Sequence, residues 1–259
     1  MSSDSAKLAS MNPDAKLGML ERIAYGMGDF GGNLIYTAIS SFLLVYYVSV
    51  VGIPSAAAGS ILAISKIFDG VSDLIMGRIV DKSNSKRGKA LPWLIRMSIP
   101  MGICSVLMFS IPASFGSTAK IIYAFITYNL VSTVFYTGYN VPYATLQGLM
   151  TLDSYERGLL GNFRMMLATA GTLLVNNVFT RIAQAVNGGS EEVLYAYQKG
   201  WTVAAVIMAV GFIAVSFIPF LLCKERVKQD SGEGEGEKGP SLMESLKSLL
   251  KNKYWVLEV

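Results

Sequence analysis

The sequence contains no histidine and only two cysteines among its 259 residues. Without imidazole, the chain has no Ser-His-Asp triad, no zinc site of the usual kind and no histidine proton relay. Both cysteines, Cys104 and Cys223, lie inside apolar runs, so no disulfide framework is expected. No nucleophile–base set, metal motif or cofactor loop stands out, and the sequence predicts neither an enzyme nor a bound cofactor.

Charge is also scarce. Charged residues make up 15% of the chain and hydrophobic residues 52%, whereas soluble domains are about 25% charged. This balance excludes a disordered chain, a nucleic-acid binder built on dense charge and almost any ordinary soluble enzyme. At about 20 apolar residues per span, the length allows six or seven membrane crossings. The predicted fold class is therefore an all-α membrane protein.

Six apolar runs indicate transmembrane helices that form one bundle over residues 23–223. Their approximate bounds are Ile23 to Val50, Ser55 to Val80, Leu91 to Ile111, Lys120 to Thr145, Leu159 to Ala183 and Trp201 to Cys223. Residues 1–22 precede the bundle as a polar segment without the pattern of a cleavable signal peptide.

The basic residues predict the orientation of these spans, because loops rich in Lys and Arg stay in the cytoplasm. With the N-terminus inside, Lys120, Arg181 and Lys199 fall outside and Lys66 falls within a span. The remaining 18 of the 22 basic residues fall on the cytoplasmic side. We therefore expect a multi-pass protein of the plasma membrane with a cytoplasmic N-terminus. The net charge of +4 is explained by topology, without a nucleic-acid partner.

The composition changes after the sixth span, where residues 224–253 read as a cytoplasmic loop. Asp230 to Gly239 is a charged, glycine-rich linker. Ser241 and Glu244 then resemble a capping box before leucines at helical spacing, which predicts a short amphipathic helix. Residues 254–259 are apolar except for Glu258, as at the start of a seventh helix. We expect the chain to be the N-terminal portion of a longer protein.

Three ionisable residues of the second span share one helix face, since Lys66, Asp69 and Asp73 stand at i, i+3 and i+7, with Ser72 beside them. Intramembrane ionisable residues usually mark ion or substrate pathways. Two unpaired carboxylates one turn apart cannot both stay ionised in a low-dielectric site. A bound Na⁺ or a shared proton would remove the repulsion between them. The alternative is a structural ion-pair cluster in which Lys66 and a residue such as Arg164 neutralise the carboxylates.

Polar residues of other spans predict a cavity. Asp29 and Asn33 lie one turn apart in the first span, and Tyr136 and Asn140 share a face of the fourth. Aromatic rings beside amides are typical of sugar contacts, although asparagines also join helices in membranes. Asp29 is equally compatible with a helix-start position. Arg164 could pair with carboxylates, hold an anionic substrate group or extend to the membrane interface.

The loop after the second span reads GRIVDKSNSKRGK. Its charge is explained by topology alone, but it also suggests a conformational latch formed by Gly77, Asp81, Arg87 and Lys89. In that interpretation, Asp81 at the helix C-terminus pairs with basic residues of the loop or of a neighbouring helix.

Five segments carry a family resemblance: YGMGDFGGN, KIFDGVSDLIMGRIVD, RGKALPWL, YNVPYATL and NFRMML. They resemble the glycoside–pentoside–hexuronide:cation symporters of the major facilitator superfamily, the family of melibiose permease, over about residues 20–225. The resemblance implies twelve helices in two six-helix halves, of which this chain is the N-terminal half. It also implies transport by alternating access.

The resemblance also implies a site. Its cation positions fall on Asp69, Asp73, Ser72 and Thr137, and its substrate positions on Asn33, Tyr136, Asn140, Arg164 and, as we assign it, Lys66. Melibiose permease has carboxylates in place of Asn33 and Asn140, a basic residue in place of Gly32 and a tryptophan in place of Ala144. We therefore expect a hexuronide, pentoside or related glycoside rather than an α-galactoside, with Na⁺ or H⁺ as the coupling ion.

The sequence thus predicts a cation-coupled sugar symporter. Its expected partners are a sugar or glycoside, a monovalent cation, membrane lipid and a C-terminal six-helix half that completes the cavity. Two alternatives are a non-transporting sugar sensor and a lysophospholipid-type transporter on the same fold. We expect the 259-residue chain not to transport by itself.

Overall fold

A computed structural model describes residues 16–83, 85, 87–190 and 194–227. The predicted linker, amphipathic helix and seventh-helix start lie outside these residues, as does most of the 1–22 segment. The described part of the chain forms six long helices. They are α1 (Met19–Val45, continued by a π-helical turn over Tyr46–Val50), α2 (Ser55–Lys82), α3 (Leu91–Met108), α4 (Ser117–Met150), α5 (Ser154–Asn187) and α6 (Gln198–Leu222).

Five helices of the described part are long and apolar enough to cross a membrane, and α2 is the exception. It has 28 residues, but its intramembrane charges, Lys66, Asp69 and Asp73, lower its hydropathy. Helices at all six predicted positions confirm the all-α fold. The predicted bounds differ by several residues, most at the end of α4 and the start of α5. Helix α5 begins at Ser154 because the Asp153 carboxylate accepts hydrogen bonds from the next free N–H groups.

Helix α4 changes its winding midway. It is α-helical over Ser117–Asn129, π-helical over Leu130–Tyr136 and α-helical again over Thr137–Met150. Single π-helical turns inside α-helices frequently lie at functional sites, because the extra residue re-aims the side chains around it. This turn faces α2 and α3, which both pack against it.

Helix α1 lies against α5 and α6, while α2 packs on α4 and α3 packs on both α4 and α6. Two tyrosine hydroxyls of α4 tie it to the backbone of α1: Tyr139 donates to Gly28 O at 2.9 Å and Tyr143 to Tyr25 O at 2.7 Å. A Cβ atom on Gly28 would lie 2.5 Å from the Tyr143 ring, so only glycine permits this approach.

Two ion pairs, each with two hydrogen bonds, join the helices at the N-terminal end of the bundle, meaning the end where α1 begins. Arg22 of α1 binds the carboxylate of Glu156 of α5 at 2.8 and 3.0 Å. Arg226, beyond α6, binds Glu21 of α1 at 2.7 and 2.8 Å. Glu156 is only 2% exposed, so loss of its guanidinium partner would strand a buried charge.

Residues Lys224–Val227, which we call the strap, cross this end of the bundle. The carboxylate of Glu225 accepts hydrogen bonds from the backbone N–H groups of Lys89, Ala90 and Leu91, at 2.7 to 2.9 Å. These are the free donors at the start of α3, where a negative charge is most favourable. Two backbone N–H groups of the strap also donate to the Leu149 carbonyl near the end of α4. The strap therefore holds α1, α3 and α4 to the end of α6.

Candidate functional site

The carboxylate of Asp69, midway along α2, faces the π-helical turn of α4. Thr133 donates a hydrogen bond to Asp69 Oδ1 at 2.7 Å. The Ser132 hydroxyl lies 3.2 and 3.3 Å from the two carboxylate oxygens. Both hydroxyls are half-buried, and both belong to consecutive residues that the π-helical winding turns toward α2. Two hydroxyls therefore surround one carboxylate.

Asp73 lies one turn further along α2, beside the residue at which α4 becomes α-helical again. The buried Thr137 hydroxyl donates to Asp73 Oδ1 at 3.0 Å and lies 3.2 Å from the Ser72 hydroxyl. The structure therefore brings together all four residues predicted for the cation, Asp69, Asp73, Ser72 and Thr137, around hard oxygen atoms. The side of α2 that carries Asp73 is open.

Neither carboxylate has a basic partner among the residues that the structure describes. Lys66 is exposed and forms no ion pair with Asp69 or Asp73, and Arg164 pairs with a different residue. The ion-pair alternative raised by the sequence is therefore not the arrangement seen here. Two neighbouring carboxylates with only hydroxyl neighbours offer the oxygen ligands that a small hard cation prefers.

A second polar cluster joins α1 to α5. Arg164 Nε donates to Asp29 Oδ2 at 2.9 Å, and this ion pair is partly buried. Asn33, one turn beyond Asp29, donates from its amide to the Asp29 carbonyl at 2.9 Å and accepts from the Thr172 hydroxyl at 3.2 Å. Two predicted substrate residues, Asn33 and Arg164, thus belong to one network centred on Asp29.

Two tyrosine rings lie between the carboxylate pair and this second cluster. Tyr36 of α1 stacks on Tyr136 of α4 with the ring centroids 5.2 Å apart. Tyr136 directly precedes Thr137, which bonds to Asp73, and Tyr36 lies about one turn beyond Asn33 on α1, so the stacked pair borders both clusters. The Tyr36 side is open, with 43% of the residue exposed. An aromatic pair that is exposed on its Tyr36 side and lies beside hydrogen-bonding groups matches the chemistry of a sugar ring, which has an apolar face and a polar rim.

The remaining predicted residues are placed more loosely. Asn140 is half-buried, and its amide makes no hydrogen bond to another described residue. Among the latch residues, Arg87 lies over the Phe220 ring at 4.7 Å and the Lys89 backbone donates to Glu225. Asp81 is exposed and forms no ion pair within the described ranges, and nothing lies within 4 Å of a Cβ built on Gly77. The latch stays a prediction.

Sequence reasoning missed several contributors, namely Ser132, Thr133, Thr172 and the role of Asp29 as a partner of Arg164. A signal existed for part of this set, because Thr133 and Thr137 stand at i and i+4 on the helix that carries Tyr136. The spacing did not show that these hydroxyls face α2. Ser132 enters the site through the π-helical turn, which ordinary helical spacing does not predict.

Long apolar helices enclose carboxylates, amides and an arginine. Ionisable groups inside a membrane usually mark ion or substrate pathways, so this arrangement is that of a membrane transport protein. The chain matches the model of the MFS/sugar transport protein family over residues 24–257. It belongs to that family. The predicted fold, the N-terminal half of a major facilitator, is confirmed.

Curated relatives agree with this assignment. The chain is 32% identical to the inner membrane symporter YicJ of Escherichia coli K12, over 92% of the chain and 49% of the relative. It is 29% identical to the isoprimeverose transporter of Lactiplantibacillus pentosus, over 92% and 48%. It is 30% identical to the glucuronide carrier protein homolog of Escherichia coli K12, over 89% and 48%. The chain spans about half the length of these relatives.

Proposed function

We propose that the chain forms one half of a cation-coupled glycoside symporter that works by alternating access. The observation that carries the proposal is the pair Asp69 and Asp73, surrounded by hydroxyls and without a basic partner in the described structure. A monovalent cation, Na⁺ or H⁺, supplies the missing positive charge. An enzyme is not proposed, because the relatives are named as transporters.

The substrate is a hexuronide, a pentoside or a related glycoside. Asn33, Asn140 and Arg164 supply hydrogen bonds to its hydroxyls, and Tyr136 covers an apolar face of the ring. Relatives named as an isoprimeverose transporter and as a glucuronide carrier protein homolog support a sugar. They favour it over the two alternatives, a lysophospholipid and a sensor that does not transport.

Cation binding precedes sugar binding in this mechanism. A cation between Asp69 and Asp73 neutralises charge that borders the Tyr36–Tyr136 pair, so the sugar enters a less charged cavity. Each ligand then raises the affinity for the other by the same factor. The loaded bundle rocks against a second bundle around the fixed site.

A second six-helix bundle, supplied by the same or another polypeptide, completes the cavity, since the relatives are about twice as long as the chain. We call this chain with its second bundle the complete transporter. It resides in the plasma membrane among lipids, with the N-terminal end of the bundle in the cytoplasm. Gly77, Asp81, Arg87 and Lys89 act there as a latch that opens and closes with the transport cycle.

The test is Asp73→Asn in the complete transporter, measured as uptake of a radiolabelled glycoside into cells with and without a cation gradient. The variant keeps the size of the side chain but loses its charge, so cation-driven accumulation should be abolished. Ser60→Ala is the matched control, because the Ser60 hydroxyl lies on the same helix and bonds only to the Ala56 carbonyl. Wild-type accumulation by Asp73→Asn, with the control active, would refute the assignment.

A further inference from the structure

In the Asp29–Arg164 ion pair, only one of the three guanidinium nitrogens bonds to the carboxylate. The Nε atom donates to Asp29 Oδ2, and this leaves the two terminal amino groups for other oxygen atoms. The Arg164 side chain is 28% exposed and that of Asp29 17% exposed. Both side chains are therefore partly buried, and the guanidinium is the more exposed of the two.

The rest of the guanidinium is held by an aromatic ring. Arg164 Cζ lies 5.0 Å from the centroid of Tyr143, within the range of a cation–π contact. That ring is itself fixed, since its hydroxyl donates to the Tyr25 carbonyl and it stacks on Tyr25 at 4.8 Å. Arg164 is thus positioned by Asp29 on one side and by Tyr143 on the other.

Asp29 also orients an amide at the same place. Its backbone carbonyl accepts the hydrogen bond from Asn33 Nδ2, while Thr172 donates to Asn33 Oδ1. The Asn33 amide and the Arg164 guanidinium therefore have fixed orientations relative to each other. The charges of this cluster cancel, because its one acidic group is paired with its one basic group.

We propose that Asp29 is the positioning residue that makes this side of the cavity select an uncharged glycoside over a hexuronide, an inference that rests on the proposed symport function. An uncharged sugar offers hydroxyls that accept from the fixed guanidinium and amide. A carboxylated sugar must give up its hydration, and the charge of Arg164 is already neutralised by Asp29.

The experiment measures uptake of methyl β-D-xyloside and methyl β-D-glucuronide by the complete transporter and by its Asp29→Asn variant. The wild-type protein should prefer the xyloside. In Asp29→Asn the KM for the xyloside should rise about tenfold, the order expected for one lost charge-assisted hydrogen bond. The ratio of kcat/KM for glucuronide to that for xyloside should increase by at least a similar factor, since the positive charge of Arg164 is then no longer balanced by Asp29.

Three further measurements separate positioning from a folding defect. Asp29→Glu keeps the charge and should keep the wild-type substrate ratio. The double variant Asp29→Asn with Arg164→Gln has no charge at the site and should lose the gain for the glucuronide. Equilibrium binding of ²²Na⁺ should be unchanged in Asp29→Asn, because the residues around Asp69 and Asp73 are intact.

A wild-type protein that prefers the glucuronide, or an Asp29→Asn variant with an unchanged substrate ratio, overturns the inference and leaves the symporter in place. A wild-type protein that transports neither sugar while it binds ²²Na⁺ refutes the proposed glycoside function itself, and the inference with it. Loss of ²²Na⁺ binding in Asp29→Asn, not restored in Asp29→Glu, assigns the residue a purely structural role and also overturns the inference.

Discussion

At the scale of single residues, the hydroxyl of Thr133 makes the shortest contact to either carboxylate of the candidate cation site, at 2.7 Å from Asp69. Thr133→Val removes the donor and keeps the shape of the side chain. A hydrogen bond to a charged group contributes about 1.5–3 kcal/mol. We therefore expect the apparent affinity for the coupling cation to fall by about tenfold or more, because Asp69 is no longer held in one orientation.

The measurement is the cation concentration that gives half-maximal uptake at a fixed glycoside concentration. Thr145→Val is the matched control, since Thr145 is also half-buried on α4 but bonds only to the Val141 carbonyl of its own helix. Equal cation affinity in Thr133→Val, Thr145→Val and the wild-type protein would show that Thr133 has no part in the cation site.

The sequence indicated a site residue only where placing that residue in the membrane is energetically costly. Asp69 and Asp73 stand out because a carboxylate in an apolar span is costly and usually has a functional role. Asp29 does not, since an acidic residue near the start of a span is equally explained by its helix end. Its pairing with Arg164 spans 135 positions of the chain. A contact of that separation depends on how α1 packs against α5, which no local pattern contains.

At the scale of helices, the strap is expected to stabilise the N-terminal end of the bundle. Glu225→Gln leaves one carbonyl oxygen where two carboxylate oxygens accept three backbone N–H groups. The free energy of unfolding should fall by about 1–3 kcal/mol, the cost of leaving buried donors unsatisfied. A lower melting temperature of the detergent-purified chain would report this loss.

A cysteine immediately before the strap gives a more local readout. Cys223 is 3% exposed, and in a Cys104→Ser background it is the only cysteine of the chain. We expect maleimide to label it several-fold faster in Glu225→Gln, because the strap opens more often. Lys224→Gln serves as the control, since its side chain is exposed and only its backbone N–H contacts Glu21. Equal labelling rates in both variants would contradict a role for Glu225.

The positions of the helices could be predicted from the sequence, whereas their ends and irregular turns could not. Apolar runs located all six helices because the bilayer imposes their length. The start of α5 lay beyond the apolar run because Asp153 caps a polar first turn. The π-helical turn over Leu130–Tyr136 has no local signature, as its extra residue is accommodated by the packing of α4 against α2 and α3.

At the scale of the whole molecule, this chain supplies more of the candidate cation site than of the candidate sugar site. Among the described residues, the oxygen atoms that bond to the Asp69 and Asp73 carboxylates come from α4, and both carboxylates belong to α2. The substrate side is open, with Tyr36 exposed beside Tyr136 and with Asn140 lacking a partner among the described residues. Under the proposed function, this bundle therefore supplies the candidate cation site by itself and one wall of the candidate sugar site.

We accordingly expect the purified 259-residue chain to bind a cation without accumulating sugar. In detergent it should bind ²²Na⁺ or, with H⁺ as the coupling ion, exchange a proton with the solvent as the pH is changed, and Asp73→Asn should abolish this binding. In liposomes with an imposed cation gradient it should give no glycoside uptake above that of empty liposomes, because alternating access needs a second bundle to rock against. Gradient-driven sugar accumulation by the chain alone would show that one bundle, or a dimer of it, is sufficient for transport. Absence of ²²Na⁺ binding and of proton exchange would show that the carboxylates of α2 need the second bundle to hold the ion.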